Sequence, residues 1–181
     1  MVRFIKICLT TAMLILTATA CTTAPTTDQG KTELDNKADA AVAKALKTDS
    51  SLAKRLHDCA GYAVFPSVGK GALGIGGAYG KGVLYVGGAI VGYCDLTQAT
   101  IGFQLGGQAY SEFVVFETPQ KVDDFKQGHV TFDAQATAVA LKAGAGANSN
   151  YTDGVAVFTT DEEGLMYEAA IGGQKFAYQP K

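Results

Sequence analysis

Few residues in this chain have side chains suited to chemistry, and their spacing does not combine them. Histidine occurs only at His57 and His129. His57 stands beside Asp58 near a helix end, and His129 follows a helix C-terminus, where the dipole favours a cation. Both read as structural. Asp123-Asp124 gathers negative charge on a helix face and Asp161-Glu162-Glu163 in a turn, and each pattern usually marks solvated surface. Gly69-x-Gly71-x-x-Gly74 spells the dinucleotide fingerprint, but that motif needs a helix directly after it, and Gly76, Gly77, Gly80 and Gly82 forbid one. Gly80-Lys81 lacks the earlier glycine and the following Ser/Thr of a phosphate loop. Nothing assembles a nucleophile, a base and an oxyanion site, so the reading is a non-enzymatic chain with no cofactor.

The cysteines and a small basic set remain. Four cysteines occur, at 8, 21, 59 and 94, with no C-x-x-C pair and no metal-ligand spacing, so no metal is expected. Cys59 and Cys94 have two readings. One is a disulfide closing a loop of about 35 residues, worth roughly 3–4 kcal/mol in the chain-entropy view; the other is a pair of small buried hydrophobes. Lys54 and Arg55 lie on a short helix, and Lys70 and Lys81 sit among glycines, whose exposed N–H groups could join them in holding a lipid head-group phosphate. The plainer reading of each is a solubilising charge at a loop tip.

The N-terminus reads as an address. Arg3 and Lys6 precede an apolar run from Ile7 to Leu16, too short for a span of about 20 residues but suited to the core of a signal peptide over 1–20. Ala18-Thr19-Ala20-Cys21 resembles the lipobox of bacterial lipoproteins, although the leucine usual three places before the cysteine is Ala18 here. Cys21 would then be the lipid-attachment residue, carrying fatty acyl chains such as palmitate; the alternative is ordinary cleavage after Ala20. Residues 21–30 have the composition of a lipidated tether, and Thr22 in place of aspartate points to the outer membrane, facing the periplasm. The chain of 181 residues carries 15 basic and 17 acidic groups. Without Arg3 and Lys6 the balance is 13 against 17, or −4. A protein of that charge has no broad attraction to nucleic acid, so a phospholipid membrane must be held by a local patch.

The segments that must position these residues divide into helix and strand. From Lys31 to Lys47 apolar residues recur at helical spacing, and a second short helix runs from Leu52 to about Asp58. After Gly61 the glycines at 69, 71, 74, 76, 77, 80, 82, 87, 88 and 92 exclude helix. Larger residues alternate between them with period two. Such strands are approached closely by another backbone, or bend sharply as in a small barrel. Strands are expected at Ala99–Leu105 and Glu112–Glu117, joined around Gly106-Gly107, and at Val130–Leu141. Another pair, Val155–Phe158 and Leu165–Ile171, forms a hairpin around Asp161–Gly164, and Phe176 and Tyr178 close the chain in a last strand. Thr118-Pro119 starts a helix that Gly128 ends. Gly61-Tyr62-Ala63-Val64-Phe65, then Gly71, matches Gly154-Val155-Ala156-Val157-Phe158, then Gly164, at an offset of 93. The fold class is α+β: an antiparallel sheet or barrel-like core rich in glycine, two N-terminal helices, and one short helix near 119–127.

Several of these motifs stand in the order found in one family. Ala60-Gly61-Tyr62-Ala63-Val64-Phe65-Pro66, Val68-Gly69-Lys70-Gly71 and Gly74-Ile75-Gly76-Gly77 resemble the opening of the SYLF domain. Tyr93, the run Gly102-Phe103-Gln104-Leu105-Gly106-Gly107-Gln108, Phe116, Phe125, Gly164-Leu165-Met166-Tyr167-Glu168-Ala169 and Gly172-Gly173-Gln174-Lys175-Phe176 follow in order. The resemblance covers roughly residues 31–181. It implies a lipid-binding module, since eukaryotic members bind phosphatidylinositol phosphates and other anionic lipids and some bind actin. Bacterial members are commonly exported or lipoproteins. Actin has no counterpart in a periplasm and is not expected as a partner. The chain departs from the family at Tyr93-Cys94, where many members have a tryptophan, and in its alanine-rich, nearly charge-balanced first helix. The expectation is an envelope lipoprotein that binds phospholipid, anionic head groups being favoured. The alternative is a structural lipoprotein whose domain binds another envelope protein.

Overall fold

The computed structural model describes residues 25–132, 138–140, 144, 146 and 149–181. The expected signal segment 1–20, Cys21 and the middle of the Val130–Leu141 strand lie outside the described residues. Helix α1 spans Asp28–Thr48 and starts before Lys31, because Thr27 caps it: its hydroxyl oxygen accepts from the Gly30 N–H at 3.1 Å. The buried stripe is Leu34, Ala38, Ala41 and Ala45, narrow enough to bring the helix close to the sheet. Tyrosines rising from the sheet fix its register. The Tyr85 hydroxyl donates to Asp39 Oδ1 at 2.8 Å, and the Tyr93 hydroxyl makes a longer contact, 3.5 Å, with Asp35 Oδ2. Helix α2 spans Leu52–Asp58. Helix α3, Pro119–Lys126, has Thr118 as N-cap and proline in its first turn, as expected, with Gly128 in the left-handed region after it.

The sheet is built on three long strands, β1 (Gly61–Val86), β2 (Ala89–Phe116) and β5 (Val155–Pro180), with two short ones, β3 (Thr131–Phe132) and β4 (Ala138–Ala140). Its order is β1-β2-β5-β3, with β4 parallel on β5 and every other pairing antiparallel. The fold is α+β as expected, but the sheet curls without closing into a barrel.

Two expected turns are strand. Chain direction does not reverse at Gly106-Gly107 or at Asp161–Gly164; instead Gly107 pairs with Leu165 and Gln108 with Gly164 inside a continuous β2–β5 ladder. Glycine bends these strands without ending them: Gly106 takes a φ of 126°, and register shifts interrupt the β1–β2 ladder at three places. The repeated motif is explained in the same way. Val64 and Phe158 both stand opposite Phe113, so the two similar segments flank β2, and the connection after each is more strand.

A straight strand of 26 residues would run about 85 Å, roughly twice the diameter of a domain this size. The strands therefore coil, and β1 folds back over itself. A Cβ on Gly82 would lie 2.6 Å from the Phe65 ring and 2.7 Å from the Val64 carbonyl oxygen, and one on Gly80 would lie 2.9 Å from Val68. Glycine in this segment serves close backbone approach, as its period-two pattern implies. The coil sets a turn half, residues 76–99 with 173–180, against an open half, residues 61–71, 106–116 and 155–160. Both faces are buried. Val64, Phe113 and Phe158 pack under α1, whereas their chain neighbours Phe65, Val114 and Val157 pack into the interior with Val122 and Phe125 of α3.

Candidate functional site

Helix α2 is short, and what holds it also shapes the ground on either side. Asp49, only 2% exposed, closes the α1–α2 junction. Its carboxylate accepts from the Ser51 N–H and hydroxyl at 3.0 and 2.7 Å, and from the N–H groups of Gly144 at 3.1 Å and Gly146 at 2.6 Å. Burial pushes this carboxyl up, but the hydrogen bonds from Gly146, Ser51 and Gly144 outweigh it and hold Asp49 below the usual carboxylate range. One side of α2 faces a cleft of about 530 Å³ lined by Ser51, Lys54, Arg55, Asp58, Glu117 and Tyr151. The other faces an apolar groove of about 500 Å³ whose walls include Val42, Leu46, Leu56, Cys59 and Tyr62, with His57 at its margin and the Gly87-Gly88 turn closing it.

The four basic residues singled out in the sequence fall in different places. Lys54 and Arg55 come together at the cleft. The Lys54 side chain is 84% exposed, with Asp58 one turn on as its partner. Arg55 is a pin: Nε donates to the Gly146 carbonyl at 3.1 Å, Nη2 donates to the Ser149 carbonyl, and the guanidinium lies 4.6 Å from the centre of the Tyr151 ring. Lys70 and Lys81 are on opposite faces of β1. Lys70 shares the interior face with Val68, while Lys81 shares the α1-side face with Val83 and stands opposite Asp95 of β2. They build no single head-group site with α2.

The cysteines are also kept apart. Both are free thiols, Cys59 against the α1-side cluster with its thiol donating to the Leu56 carbonyl at 3.2 Å, and Cys94 buried in the interior cluster. Cys94 is fully buried, whereas Cys59 is partly buried in the wall of the apolar groove. Burial raises both thiols above the usual range. His57 contacts Asp58 at 2.9 Å in the open, and the α3 residues Asp123 and Asp124 pair with Lys126 and Lys121. Among the described residues, no group of three His, Cys, Asp or Glu side chains is placed to hold a metal.

Sequence reasoning missed one polar set. Glu112 and Gln174 are buried in the interior, and Gln174 Nε2 donates to Glu112 Oε2 at 2.9 Å. A single carboxylate in an apolar run, Glu112-Phe113-Val114-Val115-Phe116, was the available signal, because strand alternation gives it the same face as Val114 and Phe116.

The family match falls on the sheet and α3. Residues 97–179 match the family described as Las17-binding protein actin regulator. A stretch of 84 residues, 46% of the chain, is 29% identical to Beta cell expansion factor A of Aeromonas veronii and spans 32% of that protein. The matched segment holds most of β2, all of α3 and most of β5, where the SYLF resemblance placed its later motifs. This part of the chain is similar to that family, in line with the SYLF resemblance of its motifs.

Proposed function

We propose that this chain is an envelope lipoprotein, acylated at Cys21 and held at the outer membrane facing the periplasm, whose SYLF domain binds phospholipid as a non-enzymatic module. The carrying observation is the ground around α2. A highly exposed lysine, Lys54, stands on a helix that has an apolar groove along its other side, so a head group and an acyl chain have adjacent places of matching chemistry. The acyl anchor supplies residence at the membrane, and the domain needs only modest affinity of its own. Anionic head groups are favoured at Lys54, while the overall negative balance repels an anionic surface elsewhere. The actin named in the family description has no place in a periplasm.

The test is sedimentation of a chain beginning at Pro25 with vesicles of zwitterionic lipid alone or with increasing anionic lipid. Binding that grows with anionic content and weakens in Lys54→Glu supports the reading. A protein that stays in the supernatant with every lipid at low salt refutes it. That second outcome, with a protein cross-linked to the domain in cells, would instead establish the alternative that the acidic balance favours: a structural lipoprotein that binds another envelope protein.

A further inference from the structure

Strand alternation sends Phe113 and Val115 toward α1, and Val114 and Phe116 into the interior. Glu112 points inward with the latter and is 1% exposed. It belongs to the open half of the coiled sheet. Gln174, 0% exposed, comes from the turn half, and Gln98, 6% exposed, stands directly opposite it in the β2–β5 ladder. The Gln174–Glu112 hydrogen bond is thus a polar tie between the two halves, set among Phe65, Leu96 and Phe176.

Glu112 is only half satisfied as a carboxylate, because Gln174 reaches one of its oxygens and not the other. Beyond that one bond, Glu112 Oε1, Gln174 Oε1, Gln98 Oε1 and Gln98 Nε2 are buried without hydrogen-bond partners among the described residues. A proton on Glu112 Oε1 turns an oxygen left without a partner into a donor. A buried ionised carboxylate with one oxygen unpartnered is the costliest form the group can take.

We propose that Glu112, Gln174 and Gln98 form a proton-held latch between the two halves of the sheet: the closed fold carries Glu112 as the neutral acid, and release of that proton to solvent leaves a buried charge with one oxygen unpartnered, which loosens the halves. The surrounding charges agree with this. Burial raises the Glu112 acid to about 7, opposed by the Gln174 hydrogen bond and by Lys70 of β1. On β2, Tyr110 shares its face. On β5, Thr159 stands opposite it, and Lys175 projects to the other face from Gln174. The charged groups of α3, Lys121, Asp123, Asp124 and Lys126, pair among themselves and with Asp153. Asp95 lies on the far face, bonded to the Tyr79 hydroxyl.

The experiment is an NMR titration of isotope-labelled glutamate carboxyls in the purified protein, together with thermal unfolding of wild type and Glu112→Gln between about pH 5.5 and 8.5. One carboxyl is expected to titrate near neutrality and to vanish in Glu112→Gln. The wild-type melting temperature should fall by several degrees across that range relative to the variant. A Glu112 carboxyl that titrates with exposed glutamates below about pH 5, or identical pH profiles for the two proteins, overturns the proposal. If Glu112→Gln does not fold, the wild-type titration alone decides.

Discussion

The sharpest expectation concerns Gly82→Ala. An alanine methyl there would lie 2.6 and 2.8 Å from two carbons of the Phe65 ring and 2.7 Å from the Val64 carbonyl oxygen. Val64 is held in the β1–β2 ladder opposite Phe113, and Phe65 is fully buried against Phe176 with ring centres 5.7 Å apart, so neither has room to yield. Overpacking of this kind costs about 1–3 kcal/mol. Replacing glycine also restricts the unfolded chain, which offsets about 0.4–1 kcal/mol. The net loss is about 1–2 kcal/mol. The control is Gly69→Ala in the same strand, where a methyl meets nothing within 4 Å and the entropic gain stands alone. Gly92→Ala should behave like Gly82→Ala, since its methyl would lie 2.4 Å from both the Gln179 carbonyl oxygen and the Tyr178 ring. The assay is urea unfolding followed by circular dichroism and by tyrosine emission, which eight tyrosines and no tryptophan make usable. With a slope of about 1–3 kcal/mol per molar urea, the midpoints of Gly82→Ala and Gly69→Ala should separate by on the order of 1 M. Equal midpoints would refute the view that β1 folds back on itself at Gly82.

Other expectations follow from the same geometry. Glu112 has its acid raised from 4.5 to about 7 in the fold, so the folded state binds the extra proton. Its contribution is full below pH 4.5 and declines as pH rises to about 7, a total of about 3 kcal/mol at about 1.4 kcal/mol per pH unit; urea midpoints for wild type and Glu112→Gln across that window measure it. Asp49 has the opposite sign. Its folded value lies below 3.8, so its contribution is present above that pH and is lost as pH falls through the folded value, and acid unfolding of Asp49→Asn should lack that component. Asp49→Ala leaves buried N–H groups unpaired and should cost about 1–3 kcal/mol in urea unfolding. Arg55→Ala should lower stability by about 1–2 kcal/mol through the lost carbonyl bonds and ring contact. Lys54→Ala, at an exposed and solvated site, should change unfolding by less than about 0.5 kcal/mol and show its effect in vesicle binding alone.

Which features the sequence disclosed depended on how local their cause was. The three helices were legible because their signals are contiguous: the period of Leu34, Ala38, Ala41 and Ala45, and the Thr118-Pro119 start closed by Gly128. The glycine pattern was legible as chemistry, close backbone approach, but not as geometry. The same glycine that ends a strand in a tight turn, as at Gly87-Gly88, lets a strand bend and continue, as at Gly106-Gly107. Only the partner strand distinguishes them, and it lies some sixty residues away. The basic residues failed for a related reason. Lys70 and Lys81 look like turn residues beside their glycines, yet both lie inside one continuous strand, where an odd separation sends them to opposite faces.

Glu112 shows how far that argument reaches. Strand alternation gives it an inward face once the strand is known, but an inward glutamate is only half of a site. Gln174 is 62 residues further along, and Gln98 joins the set through a ladder that neither segment specifies alone. The polar residues that a sequence search favours are exposed ones in short motifs, and here those are the ones the fold pairs locally, as Lys54 with Asp58 and His57 with Asp58. Glu112, Gln98 and Gln174, which keep unmet hydrogen-bonding capacity, stand far apart in the sequence, and the coil of the sheet brings them together.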